Sequence, residues 1–143
     1  MSFMNCLIVM AGGALGTLAR YVLSVLAHPI SDRLPWGTMI INVTGSLVIG
    51  FFGTLTLAAG RYPASDSVRL FVMVGLCGGY TTFSSFSLQT LDLMRSGGMA
   101  RAAINVTASV VLCVAAVAAG HFVASQLNAG AAQIAQTAIE EEA

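Results

Sequence analysis

The residues best suited to chemistry lie in one stretch, Gly75-Leu76-Cys77-Gly78-Gly79-Tyr80-Thr81-Thr82-Phe83-Ser84-Ser85-Phe86-Ser87-Leu88-Gln89. Two adjacent glycines before a hydroxyl-rich run are poor material for a continuous helix, so a helix break is expected here. The backbone carbonyls freed by such a break are ready ligands for a hard cation such as Na⁺. Beyond it, Phe83 and Phe86 share one helical face, and Thr82, Ser85 and Gln89 are spaced as a polar stripe on an adjacent face. A phenylalanine ring has a positive edge that can face an anion. The same spacing also suits plain packing.

Two further segments share a pattern, Ile41-Asn42-Val43-Thr44-Gly45-Ser46 and Ile104-Asn105-Val106-Thr107-Ala108-Ser109. In each, Asn and Ser are four apart and lie on one helical face. They offer N–H and O–H donors without a full charge, either to a passing anion or to a neighbouring helix. Both asparagines fit N-x-T glycosylation signals, but inside a membrane span they are out of the enzyme's reach. Gly12 and Gly16 have the spacing that lets two helices approach closely. Arg20 follows on the same segment and must face protein or a watery vestibule, or else snorkel to the interface.

The elements that position these residues follow from composition. Of the 143 residues, 57% are hydrophobic and 8% charged, and mean hydropathy is +0.85. A soluble domain carries about 25% charged residues, so this is an integral membrane protein. Apolar runs at about 3–26, 36–59, 68–94 and 99–125 are continuous and lack strand-like alternation, which predicts four transmembrane helices in an all-α fold. Residues 1–126 form the membrane unit, and 127–143 form a polar tail ending in Glu140, Glu141 and Glu142. The N-terminus lacks the basic flank and cleavage site of a signal peptide, so the first run reads as a retained span. Cys6, Cys77 and Cys113 are far apart and read as small buried residues rather than disulfide or zinc ligands.

The cationic residues are all arginine. Arg61 and Arg69 lie near span ends on the side of both termini, against Arg33, Arg95 and Arg101 on the other, with Arg20 a possible addition to the latter. So even a split barely chooses an orientation, and it permits an antiparallel homodimer. A proton-coupled exporter of organic cations would share the four spans, but no carboxylate lies deep in any of them. A non-transporting scaffold would use the buried Asn and Ser only as glue. An enzyme fits worst, because His28 falls in a connection and His121 near a span end, with no nucleophile at recognisable spacing.

These residues resemble the CrcB/Fluc family of small bacterial fluoride channels, over Gly12 to about Gly120. The resemblance rests on Gly13-x-x-Gly16-x-x-x-Arg20, on Gly37-Thr38 with Asn42-Val43-x-Gly45-Ser46, and above all on Gly75 to Ser87. It implies passive export of cytoplasmic fluoride through a dual-topology antiparallel homodimer in the bacterial inner membrane. Phe83 and Phe86 would then touch fluoride by their ring edges, Asn42 and Ser109 would be pore-lining donors, and Arg20 a vestibule residue. Gly78 and Thr81 would supply carbonyls to a structural, activating Na⁺. Thr82, Ser85 and Gln89 would form the family's polar track. Many relatives carry Thr and Glu where this chain has Ser85 and Gln89; the first change keeps the hydroxyl, the second removes a possible charge. The acidic tail lies outside the resemblance.

Overall fold

Each long apolar run winds into helix. The computed structural model describes the backbone of residues 2–58 and 60–141 and the side chains of residues 2–58 and 60–129. Helix α1 occupies Phe3–Leu26 and α2 Trp36–Leu55. The third run contains α3 (Asp66–Arg69), a π-helical stretch Leu70–Cys77, α4 (Gly78–Tyr80) and α5 (Phe83–Arg95). Helix α6 is Met99–Glu141. Four segments are long and apolar enough to cross a membrane: Phe3–Leu26, Trp36–Leu55, Asp66–Arg95 and Met99–Ala129.

The turns follow from local chemistry. The Ala27 N–H closes α1 on the Leu23 carbonyl at 2.9 Å, and a short 3₁₀ turn, His28–Ile30, leads through Pro35 into α2. Helix α5 ends at Arg95 and is closed by Gly97, whose φ of +79° an L side chain rarely adopts. There the Gly97 N–H bonds the Met94 carbonyl at 3.0 Å and the Gly98 N–H bonds the Leu93 carbonyl at 2.8 Å, a Schellman closure.

Two seams of small residues hold the helices in pairs. Gly12 and Gly16 of α1 are buried against the third run; a Cβ added at Gly12 would sit 3.0 Å from Gly75 Cα, and one at Gly16 would sit 2.8 Å from Tyr80 N. The Gly12/Gly16 pair therefore serves close helix packing. Between α2 and α6, a Cβ at Gly50 would lie 3.0 Å from Val117 Cα, and one at Gly120 would lie 2.7 Å from Phe51 N. The core these seams enclose is thin, since only 11–22% of residues in the four spans are buried. The outward faces are apolar and suit lipid or another protein.

Helix α2 stops at Leu55, short of the expected 59; residue 59 itself lies outside the described residues. Its last carbonyls are satisfied from elsewhere in the chain. Arg69 Nη1 donates to the Gly53 carbonyl at 3.1 Å and to Thr56 Oγ1 at 2.6 Å, and Asn128 Nδ2 donates to the Thr54 carbonyl at 3.0 Å. A cation at a helix C-terminus also complements the helix dipole. Helix α6 runs past the expected end near 125 to Glu141, and the side chains of 130–143, including the acidic triplet, lie outside the described residues. Of the three cysteines expected to be buried, Cys77 is, whereas Cys6 and Cys113 lie on partly exposed faces.

Candidate functional site

The third run sets the site. Thr81 (φ −78°, ψ 159°) and Thr82 (φ −152°, ψ 111°) are extended between α4 and α5. Thr81 turns back on its own helix, its N–H and Oγ1 both donating to the Cys77 carbonyl at 2.9 Å. Thr82 caps the next helix, its Oγ1 accepting from the Ser85 N–H at 3.2 Å and donating to Ser85 Oγ at 3.1 Å. Its own peptide groups are held by Asn42 of α2: the Thr82 N–H donates to Asn42 Oδ1 at 2.8 Å, and Asn42 Nδ2 donates to the Thr82 carbonyl at 3.0 Å. Thr44, half a turn on, meets the Tyr80 hydroxyl at 2.8 Å. Gly78 is exposed, and a Cβ there would meet nothing within 4 Å.

Immediately beyond the extended pair, Phe83 and Phe86 have ring centroids 5.3 Å apart with planes tilted by 44°. Phe83 is 78% exposed, while Phe86 is partly buried. Both border a cleft of about 390 Å³ with Asn42 and Ser46 from α2, Thr81 and Thr82, and Ser109 from α6. Ser109 is buried, at 7% exposure. The cleft thus gathers Asn42, Thr82, Phe83, Phe86, Ser109 and the two residues expected to hold a cation, Gly78 and Thr81.

Gln89 borders a second cleft, of about 570 Å³, with Asp32, Arg33, Thr38, Asp92 and Arg101. Its Oε1 is buried and has no hydrogen-bond partner. The stripe of Thr82, Ser85 and Gln89 accordingly starts in one cleft and ends in the other. Arg20 is not brought to this group; it is partly exposed on α1 and borders neither cleft. Arg33 and Arg101, which the sequence shows only as charges near span ends, border the larger cleft instead. The second patterned asparagine, Asn105, is 1% exposed, and its Nδ2 donates to Thr90 Oγ1 at 2.9 Å, so it binds α6 to α5.

Four apolar spans and a neutral cleft of amide, hydroxyl and ring edges define a small multi-pass membrane protein. The sequence pattern described as CrcB-like protein, Camphor Resistance (CrcB), matches residues 7–121. The chain belongs to the CrcB family. It is 72% identical over 142 residues to the "Fluoride-specific ion channel FluC" of Methylobacterium radiotolerans, covering 99% of each chain. It is 69% identical over 144 residues to the protein of the same name from Gluconobacter oxydans, covering 100% of each, and 53% identical over 128 residues to that of Rhodospirillum rubrum, covering 89% of this chain and 99% of the relative.

Proposed function

We propose that this chain conducts fluoride passively out of the cell and so lowers its toxicity. The Phe83–Phe86 pair, standing beside Asn42 and Ser109 at the extended residues of the third run, carries this reading, and full-length relatives named fluoride-specific channels support it. Fluoride is small and strongly hydrated, so a path must replace water with close donors while still letting the ion leave. Ring edges, an amide and hydroxyls give graded compensation, whereas a fixed cation at the narrowest point would trap the ion. In acid surroundings hydrogen fluoride enters and dissociates inside, and the trapped anion leaves down its electrochemical gradient.

The working unit is an antiparallel homodimer of dual topology in the bacterial inner membrane, and the third run acts as a broken helix. The thin core and the exposed Phe83 support a partner surface, and the nearly even arginine split supports two orientations. At the centre a Na⁺ would take carbonyl oxygens from Gly78 and Thr81 of both copies. These residues fit such an ion: oxygen donors suit a hard cation, and Gly78 has no neighbour to block a second copy's approach. The ion supplies a structural cross-link and no chemistry. Thr82, Ser85 and Gln89 form a track toward the mouth, and Arg20 attracts anions from its own face of α1.

The deciding experiment is anion efflux from liposomes carrying the purified protein, read by fluoride and chloride electrodes. Rapid fluoride loss with little chloride loss is the expected result; equal rates would sink selectivity. A pH-gradient-driven release of organic cations in the same liposomes would instead favour an exporter. Replacing Na⁺ by a large organic cation during purification should abolish flux, and unchanged dimer and flux would remove the sodium site.

A further inference from the structure

We infer that Asn42 and Asn105, the two asparagines of the repeated Ile-Asn-Val-Thr pattern, are positioning residues that clamp the phenylalanine-bearing segment at its two ends. The inference rests on the proposed role of Phe83 and Phe86 and explains how their orientation is held.

The first clamp answers a problem of the membrane interior. Extending a residue between two helices takes its N–H and C=O out of the helical ladder, and lipid offers them no partner. In extended backbone these two groups of one residue point the same way, which is how strands pair. A primary amide presents one acceptor and one donor side by side and can complete that pairing as a strand would. Asn42 does so, with Oδ1 at 2.8 Å from Thr82 N and Nδ2 at 3.0 Å from Thr82 O. Thr82 immediately precedes Phe83, so this pairing sets the direction in which the exposed ring leaves the backbone. Of the two N–H groups on Nδ2, one is committed to Thr82 and one is left for the cleft that Asn42 borders.

The second clamp acts one turn past the other ring. Asn105 Nδ2 donates to Thr90 Oγ1 at 2.9 Å, and Thr90 Oγ1 donates to the Phe86 carbonyl at 2.7 Å. Asn105 and Thr90 are buried, at 1% and 8% exposure, and neither borders the mid-span cleft, so they reach the ion path only through Phe86. The two copies of the pattern thus hold one segment from opposite helices, α2 before Phe83 and α6 after Phe86.

The test uses full-length protein in liposomes and detergent, with 4-fluorophenylalanine incorporated in place of Phe83 or Phe86 for ¹⁹F NMR, alongside fluoride efflux. Asn42→Gln retains donor and acceptor but its longer arm cannot pair both peptide groups of Thr82. It should lower efflux about tenfold and split or broaden the resonance at 83. Asn105→Ala and Thr90→Val should each broaden the resonance at 86 and lower efflux severalfold, and combining them should cost little more than either alone, because both cut one connection. Should Asn105→Ala fail to fold, Thr90→Val cuts the same link with a near-isosteric side chain. Unchanged resonances with lost efflux would overturn the clamp and make Asn42 an ion ligand only; wild-type efflux in Asn42→Gln would overturn it too. A wild-type protein that passes no fluoride would refute the proposed function, while the ring resonances would still report whether the clamps exist.

Discussion

The two clefts of this protein differ more in charge than in size. The mid-span cleft of about 390 Å³ is bordered by Asn42, Ser46, Thr82, Ser109 and two phenylalanines, with no charged side chain among the described residues. The larger one, of about 570 Å³, is bordered by Asp32, Arg33, Asp92 and Arg101 near the first and third connections. Charge is cheap where water reaches and costly in the span, where a cation costs at least about 3 kcal/mol. On the proposed path the larger cleft would act on ions by field, through a balance of two carboxylates and two guanidiniums, whereas the neutral cleft must recognise them by geometry. The Thr82–Ser85–Gln89 stripe joins one regime to the other.

That contrast can be broken first at the rings. Phe83→Ile or Phe86→Ile should reduce fluoride efflux about a hundredfold, as expected when roughly 2–3 kcal/mol of dehydration compensation is removed; a retained rate would show that the rings only pack. Ser109→Ala removes one neutral donor from the same cleft and should cost about tenfold, in line with one hydrogen bond to an ion. A loss no greater than twofold would take Ser109 out of the path.

The mouth should respond differently. Arg101→Gln should lower efflux about two- to threefold at low ionic strength, with the difference vanishing near 1 M inert salt as screening shortens to about 3 Å. A salt-independent loss would mean that Arg101 acts by contact, not by field. Gln89→Glu adds a negative charge to the same cleft and should lower efflux by about twofold at low ionic strength, again with the difference shrinking near 1 M salt. A large fall would place Gln89 inside the neutral regime and move the boundary between the clefts outward.

Much of this architecture was legible in the residues themselves. Continuous apolar runs marked out the four spans. The phenylalanine spacing placed both rings on one side of α5, where they sit 5.3 Å apart. What sequence could not supply were interactions across long separations. The end of α2 depends on Arg69 and Asn128 reaching back to its carbonyls. The grip of Asn42 on Thr82 spans forty positions, and no local pattern announces that an amide able to serve an ion also pairs with the backbone. The π-helical stretch Leu70–Cys77 left no local signature, since its apolar residues would suit an α-helix equally well. Arg33 and Arg101 were visible only as charges near span ends; their place at one cleft needed the packing of three helices.

The Gly97 closure also bears on how the protein is made. Helices α5 and α6 are separated by Ser96, Gly97 and Gly98, and three residues reach roughly 10 Å at full extension. So whichever way α5 is inserted into the bilayer, α6 must cross the opposite way beside it, and one choice of orientation serves both helices.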